Sequence, residues 1–368
     1  MAAIVNRIRI YYNKLSRIPR KNFFNRLVSG VKKYYTGFPT AIVLQTVSAC
    51  NLQCKHCFIT NYGTEISDGV TKIILYDEFI KLAERLNPLI KKADTFIFST
   101  FEAIINKDLF RMMDYLLAIN PKITFPFLSN AMQLTEEKIA LLEKYPISEI
   151  NISVDGSTKE IVENFKTGVS FDKIMLALER LSKSKLANRV AVTFVAHKKN
   201  IHQLPELLML IKKFNVRTVY VSNLLSFTKD NQDMVLYSKE GNPEVDQIFT
   251  ECVRIAKANK QVIELPLTKP RLKGCQAVEA FFVNYNGNVS PCDFLAVTTP
   301  FTLFGQTIKS PPVVYGNILY DDPLEIYRSK LYADFRNQHR LAKELPAVCK
   351  NCIDGYGLMC SNRTVHLP

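Results

Sequence analysis

Three cysteines crowd into eight residues early in the chain, in the stretch CNLQCKHC. Cys50, Cys54 and Cys57 have the spacing C-x3-C-x2-C and follow an apolar, β-type run that starts at Ala41. A structural zinc site takes four ligands, and His56 would be the fourth. A [4Fe-4S] cluster held by three thiolates instead leaves one iron open to a further ligand. Because His56 lies between two of the cysteines in a tight turn, where its ring can hardly share their metal, the spacing favours a cluster.

A second group of cysteines lies in the last hundred residues. It comprises Cys275, Cys292, Cys349, Cys352 and Cys360. Four thiolates suit a structural zinc site or an iron–sulfur cluster, and spacing alone does not choose between them. The remaining cysteine, Cys252, lies in a helical pattern beside Val253 and Ile255, and we expect it in the core.

Composition sets the class of protein in which these thiols act. The 368 residues are 47% hydrophobic and 22% charged, typical of a soluble globular protein of two or three domains. We find no apolar run of the roughly 18 residues that a membrane span needs, and no secretory signal at the N-terminus. We therefore expect a cytoplasmic protein. In that reducing compartment, clustered cysteines more often hold metal than form disulfides.

The net charge of +14 is concentrated at the N-terminus, where residues 1–64 hold ten Lys or Arg and no Asp or Glu. Apolar residues recur there at helical spacing, which predicts a basic amphipathic helix. Such a helix suits an anionic membrane surface, a nucleic acid or an acidic peptide, but it also suits packing on the domain behind it. Nucleic acid is the least favoured partner, since no RNA-binding signature accompanies the charge.

Six β-type runs alternate with helical patterns from Thr40 onward. The runs start at Ala41, Thr95, Ile123, Glu149, Arg189 and Val216. The main helical segments are Asp77–Lys91, Lys107–Ala118, Thr135–Glu143, Asp172–Ser182, Gln203–Phe214 and Glu244–Asn259. Alternation of this kind predicts a parallel sheet. Six strands are too few for a closed eight-stranded barrel, so we expect an open one with its chemistry at the carboxyl ends of the strands.

The predicted fold class is thus α/β: a partial (β/α)6 TIM-like barrel with an N-terminal helical extension and a small C-terminal cysteine-rich domain. The expected divisions are a helical extension over 1–38, the barrel over 39–225, a linker and helix over 226–272, and the cysteine-rich domain over 273–368.

The cysteine loop after the first strand resembles that of the radical S-adenosylmethionine (radical SAM) superfamily, whose hallmark is C-x3-C-x2-C in this place. By strand order the resemblance covers roughly residues 40–225. It implies a [4Fe-4S] cluster whose open iron is chelated by S-adenosylmethionine. It also implies cleavage of that cofactor to a 5′-deoxyadenosyl radical, which takes a hydrogen atom from a substrate.

The family's Gly-Gly-Glu-Pro motif at the second strand corresponds here to Thr100, Phe101, Glu102 and Ala103. Glu102 keeps the position that helps to hold the methionine ammonium, a contact that Ser99 would support. Both glycines are replaced. Glycine is used where backbone approaches a ligand closely, so this departure predicts an altered methionyl end of the pocket.

Further cofactor contacts are implied at later strand ends. Ser153 and Asp155, in ISVDGS, resemble the family's Ser-x-Asp-Gly, and Ser153 would meet the ribose and carboxylate region. Lys166 stands where Arg is usual, which keeps the charge but loses the bidentate fork. Leu224, after the sixth strand, would face adenine. Without the cysteine loop, all four would be read as ordinary turn, surface or core residues.

The second cysteine group resembles the start of the SPASM and twitch extensions of radical SAM enzymes, in which a β-hairpin turning at a glycine, here Gly287, carries cluster ligands. This implies one auxiliary [4Fe-4S] cluster. Its expected ligands are Cys275, Cys292, Cys349 and Cys352. Cys360 is either a substitute ligand or, as in some radical SAM epimerases, a thiol that returns a hydrogen atom to the substrate radical.

These features together predict a radical SAM enzyme of oxidoreductase or epimerase type. Its substrate would be a ribosomal peptide or a small polar metabolite, and its electron donor a flavodoxin or ferredoxin. Two alternatives stay open: a catalytically degenerate relic that acts as a binding or scaffold protein, and a zinc-binding or RNA-modifying protein.

Overall fold

The structure is a computed structural model that describes residues 37–54, 56–57, 72–359 and 363–364. The predicted N-terminal helix and its membrane contact therefore lie outside the described residues, as does Cys360. In the described part of the chain, no helix is both long enough and apolar enough to cross a membrane.

All six expected strands are present, and the sheet is longer than predicted. The strands are β1 (Ala41–Leu44), β2 (Thr95–Ile97), β3 (Phe125–Ser129), β4 (Ile147–Ser153), β5 (Val190–Ala196) and β6 (Thr218–Asn223). Neighbouring strands pair in parallel, with β2 and β3 joined through a single bridge between Thr95 and Thr124. The expected partial barrel is confirmed.

Two further strands extend this sheet at its ends. β7 (Val262–Leu265) pairs in parallel with β6, and β8 (Phe281–Val283) pairs in parallel with β1. Both come from segments that the sequence assigned to the linker and the C-terminal domain. The cysteine-rich region is thus joined to the barrel by backbone hydrogen bonds, and the exact domain boundaries stay a prediction.

Helices connect the strands, and the longer ones bury one apolar stripe each. They are α1 (Tyr76–Ile90), α2 (Leu109–Ile119), α3 (Glu136–Leu142), α4 (Lys159–Phe165), α5 (Phe171–Ser182), α6 (Leu204–Lys212), α7 (Lys229–Met234) and α8 (Pro243–Ala258). In α1 the buried residues Phe79, Leu82 and Leu86 recur at helical spacing. Phe79 meets Phe96 of β2 edge to face, with ring centroids 6.4 Å apart. The core therefore lies between helices and sheet, which leaves the strand ends for the site.

The C-terminal region is built from hairpins and two helices. β8 pairs with β9 (Asn288–Ser290) in a hairpin that contains Gly287 at φ +83°, as expected, and β9 pairs with β12 (Gly316–Asn317). The other elements are β10 (Thr299–Leu303), β11 (Gln306–Ser310), α9 (Pro323–Arg328), α10 (Lys330–Leu341) and β13 (Arg363–Thr364). A separate apolar cluster forms their core. Its buried members are Phe227, Leu295, Val297, Phe301, Leu345 and Cys349, and we call it the auxiliary apolar cluster.

Candidate functional site

The first cysteine loop follows β1, as predicted. Cys54 is buried and Cys50 and Cys57 are half-buried. The backbone N–H of Cys57 donates to the Cys54 carbonyl over 3.0 Å, which closes a tight turn. Burial raises the pKa of the Cys54 thiol to about 12, and the negative charge of Cys57 and Cys50 contributes to this rise. Three thiols thus lie within electrostatic range of one another at the carboxyl end of the sheet.

Asn130, a residue that the sequence analysis missed, links this loop to Glu102. Its Nδ2 donates to Asn51 Oδ1 over 2.8 Å and lies 3.6 Å from Cys50 Sγ. Its backbone N–H donates to Glu102 Oε2 over 2.7 Å, and the Ser129 hydroxyl donates to Glu102 Oε1 over 2.7 Å. Burial nonetheless raises the pKa of the Glu102 carboxyl to about 7. The signal for Asn130 was a polar pair, Ser-Asn, directly after a buried strand.

The Ser99 hydroxyl links the loop after β2 to the chain just after β1. It donates to the Val47 carbonyl over 2.8 Å and accepts from the Phe101 N–H over 3.0 Å. The hydroxyl that contacts Glu102 belongs to Ser129. Support of the methionine ammonium by Ser99 stays a prediction.

Lys166, Asp155 and Ser153 form one buried network. Lys166 Nζ lies 2.8 Å from Asp155 Oδ2 and donates to Ser153 Oγ over 2.7 Å. The other carboxylate oxygen of Asp155 accepts from the Val195 N–H over 2.8 Å, and this contact ties the network to β5. Lys166 therefore contacts both Ser153 and Asp155, the two residues of the ISVDGS motif that were predicted with it to contact the cofactor. Leu224 is buried just past β6, where its N–H donates to the Ala196 carbonyl.

The His56 side chain packs against aromatic rings. Its ring stacks on Phe165 with centroids 4.1 Å apart, and Phe165 in turn stacks on His197 at 3.8 Å. Burial lowers the pKa of His56 to about 4. The ring therefore anchors the cysteine turn to the end of α4.

The four described cysteines of the second group lie close together. Cys292 lies within electrostatic range of Cys275, Cys349 and Cys352, and burial raises the pKa of all four thiols. Cys349 belongs to the auxiliary apolar cluster, and Cys292 and Cys352 pack against it. Cys252 is fully buried in the main core, as predicted.

Two half-buried acids accompany these thiols, and both were missed. Cys275 Sγ donates to Asp354 Oδ2 over 2.6 Å. Asp293 follows Cys292 directly, and burial raises the pKa of both carboxyls. An acidic residue one or two positions after a cysteine, in CDF and CID, was the available signal.

An open cavity of about 460 Å³ lies nearby, lined by Lys239, Phe304 and Lys343 among others. None of the predicted site residues lines it.

The donor sets fit the groups that the resemblance implies. A loop of three thiols beside a buried carboxylate suits a cluster whose open iron takes an amino acid, and four thiols suit a second cluster. A single metal ion needs a tighter arrangement. Among the described residues, no three His, Cys, Asp or Glu side chains converge closely enough to hold one.

Comparison with known families agrees with this geometry. A model of the radical SAM superfamily matches residues 44–211, which include the first cysteine loop. A model of the SPASM iron–sulfur cluster-binding domain matches residues 275–353, which include all four described cysteines of the second group. These domains imply a [4Fe-4S] cluster, S-adenosylmethionine and an auxiliary cluster, as expected from the sequence.

Three characterised relatives are similar to this chain. The tungsten-containing aldehyde ferredoxin oxidoreductase cofactor-modifying protein of Pyrococcus furiosus is 25% identical over 304 residues, which cover 80% of this chain and 82% of that protein. The AdoMet-dependent heme synthase of Methanosarcina barkeri is 23% identical over 342 residues, covering 86% and 89%. The mycofactocin maturase MftC of Mycobacterium tuberculosis is 24% identical over 176 residues, covering 48% and 42%.

Solved structures share the fold. Streptococcus suis SuiB bound to S-adenosylmethionine superimposes with a TM-score of 0.58 at 15% identity, covering 87% of this chain and 74% of that chain. SuiB bound to the precursor peptide SuiA gives a TM-score of 0.57 at 15% identity, covering 87% and 72%. The fold, the two groups of thiols and the two matched domains agree, and the chain belongs to the radical SAM superfamily, with a SPASM-type iron–sulfur cluster-binding domain following its barrel.

Proposed function

We propose that this protein abstracts a hydrogen atom from a C–H bond of a peptide substrate, using a radical made from S-adenosylmethionine. When bound, the first cluster supplies the electron that cleaves S-adenosylmethionine to methionine and the 5′-deoxyadenosyl radical. The observation that carries the proposal is the placement of both thiol groups at one end of the barrel. The loop after β2 contacts residues next to both groups of thiols. Glu102 accepts from Asn130, which lies beside Cys50, and Phe101 packs on the auxiliary apolar cluster.

The protein's own groups would bind and orient the cofactor. Glu102, already fixed by two hydrogen bonds, presents a carboxylate for the methionine ammonium. Lys166 and Ser153 form the counterpart for the carboxylate and ribose region, and Leu224 supplies apolar surface for adenine. These roles are proposals carried over from matching motif positions.

The choice of a peptide draws on two of the similar proteins. The name of MftC describes a maturase of mycofactocin, and SuiB was solved with a precursor peptide. A second candidate substrate is a small metabolite or cofactor. It is favoured by the two relatives that match over most of their own length, one named as cofactor-modifying and the other as a heme synthase.

The test of radical chemistry is anaerobic turnover. Purified protein with both clusters, S-adenosylmethionine and a reductant should release 5′-deoxyadenosine, measured by mass spectrometry. A full-length variant with Cys50, Cys54 and Cys57 changed to Ala should release none and should lose the iron of one cluster. Intact clusters without any 5′-deoxyadenosine would instead support the degenerate relic, and zinc without iron would support the zinc-binding alternative.

The substrate class has its own test. Short peptides encoded beside the gene and small-molecule candidates are each supplied with deuterium at carbon. Deuterium recovered in 5′-deoxyadenosine identifies the class of the C–H bond that is broken. If the product also gains deuterium from D₂O, and Cys360→Ser abolishes that gain, the reaction is an epimerisation with Cys360 as hydrogen donor. The electron donor, the membrane contact and the cytoplasmic location stay predictions.

A further inference from the structure

The loop after β2 carries bulky side chains where the radical SAM resemblance has two glycines. At these positions, Thr100 and Phe101, the sequence alone suggests damage to the cofactor pocket. The structure shows where the side chains go. Phe101 packs against the auxiliary apolar cluster, whose other members come from the chain after β6 and from the C-terminal region.

This cluster also supports the cysteines of the second group, which we call the auxiliary thiols, because Cys349 belongs to it and Cys292 and Cys352 pack on it. Phe227, from the chain just past β6, forms an aromatic triad with Phe294 and Phe301, with ring centroids 5.7–6.4 Å apart. Two residues that follow barrel strands, Phe101 after β2 and Phe227 after β6, therefore make apolar contacts in the cluster that supports the auxiliary thiols.

The backbone of Phe101 is fixed relative to the first cysteine loop. Its N–H donates to the Ser99 hydroxyl over 3.0 Å, and that hydroxyl donates to the carbonyl of Val47, three residues before Cys50. The next residue, Glu102, is bound to Ser129 and Asn130. Consecutive side chains of one loop thus contact the surroundings of the two thiol groups.

Thr100 faces the auxiliary side as well. Its buried hydroxyl makes no hydrogen bond of standard geometry with any of the described residues. The side chain lies close to that of Asp293, the residue after Cys292. Thr100 therefore places a polar group beside the apolar contact of Phe101.

We infer that Thr100 and Phe101 are positioning residues that seat the auxiliary-cluster domain on the cofactor end of the barrel. Replacement of both glycines then gives the loop a second function and is not a sign of decay. The inference concerns how the domains are held and does not depend on the substrate, so it can fail while the proposed reaction stands.

The first experiment follows the auxiliary cluster alone. In full-length protein with Cys50, Cys54 and Cys57 changed to Ala, iron loss to a chelator is timed for Phe101→Ala, Phe101→Leu and Phe110→Ala. Phe110 is a matched control, since it is a half-buried phenylalanine of the same barrel that packs on Tyr145 and lies outside the auxiliary apolar cluster.

We expect Phe101→Ala to lose iron about tenfold faster than its parent, because truncation of a packed phenylalanine leaves a cavity and weakens packing around the thiols. Phe101→Leu should stay closer to the parent, since it keeps apolar volume. Phe110→Ala should match the parent. Iron loss at the parental rate in Phe101→Ala, or equal acceleration in Phe110→Ala, would overturn the inference.

The second experiment restores the family's glycines in protein that keeps all its cysteines. In Thr100→Gly/Phe101→Gly, we expect faster loss of auxiliary iron and an altered electron paramagnetic resonance spectrum of that cluster, without tighter binding of S-adenosylmethionine. The opposite result, tighter binding of S-adenosylmethionine with an unchanged auxiliary cluster, would show that the two substitutions only impair the cofactor pocket.

Discussion

Lys166 and Asp155 form an ion pair that is almost completely buried, with 2.8 Å between Nζ and Oδ2 and side chains that are 5% and 0% exposed. Around it, Ser153 accepts from the ammonium and Val195 donates to the carboxylate. Water screens such a pair very little. Each charge therefore depends on its partner, and removal of one leaves the other uncompensated.

Substitution of either partner should thus destabilise the protein strongly. We expect Lys166→Met or Asp155→Asn to lower the free energy of unfolding by about 3–5 kcal/mol. The double variant should lose much less than the sum, because no unpaired charge remains. Urea unfolding without S-adenosylmethionine measures this double-mutant cycle. Additive losses would contradict the view that the two residues act as a unit.

Asn130 should tune the first cluster. Its Nδ2 is a hydrogen-bond donor 3.6 Å from Cys50 Sγ, and donors to cluster sulfurs stabilise the reduced state. Asn130→Asp preserves the shape and the backbone contact to Glu102 but replaces the donor with negative charge. We expect a more negative midpoint potential in a redox titration followed by electron paramagnetic resonance. The spectrum of the auxiliary cluster, as internal control, should not change.

Glu102 should make cofactor binding depend on pH. Burial raises its pKa to about 7, above the ordinary value of 4.5, and the proposed contact to an ammonium requires the ionised form. We expect S-adenosylmethionine to bind more weakly as the pH falls below about 7. Glu102→Gln should remove this dependence and weaken binding at pH 8 by about ten- to a hundredfold. Calorimetric titration across this range provides the measurement.

The same carboxyl predicts the opposite trend for the stability of the protein without cofactor. A carboxyl whose pKa is higher in the folded than in the unfolded state stabilises the fold. This contribution is complete at pH values below the pKa of the unfolded state. That contribution is lost as the pH rises from about 4.5 through about 7. The free energy of unfolding of Glu102→Gln should lack this decline. An identical pH profile in both proteins would show that the pKa of Glu102 is the same in the folded and the unfolded state.

The barrel could be predicted from sequence because its strands are short apolar runs and its longer helices carry one buried stripe each. Pairing partners could not. β8 has the same β-type composition as any strand, and nothing local indicates that Phe281–Val283 adds to β1. The contact of Phe101 with the auxiliary apolar cluster was hidden for the same reason, because the buried members of that cluster are 126 to 248 positions away in the chain.

The candidate site shows the same division. Motifs in the sequence singled out both groups of cysteines, and the structure brings the described members of each group close together. Motif position also pointed to Glu102 and Lys166, whose contact with the cofactor stays a prediction, and their partners Ser129 and Asp155 depend on where separate strands end. Asn130 was missed because its role comes from a distance to Cys50 and not from a motif.

Gly274 should be essential for the auxiliary thiols that it precedes. It has φ +72°, and a Cβ there would lie 1.9 Å from the carbonyl oxygen of His339 in α10. Cys275, the next residue, donates its N–H to the His339 ring over 3.1 Å, so displacement of α10 would also displace a predicted ligand. We expect Gly274→Ala to destabilise the protein by about 3 kcal/mol and to lose the iron of one cluster.

Gly305 is the matched control for this prediction. It has a similar φ of +78°, but a Cβ there would meet nothing within 4 Å. Gly305→Ala should therefore cost only about 1 kcal/mol of backbone strain and keep the iron of both clusters. Thermal unfolding and iron analysis of the two variants separate the effect of the clash from that of the backbone angle. Equal iron loss in both would mean that strain alone releases the cluster, and that the contact between Gly274 and His339 does not hold Cys275 in place.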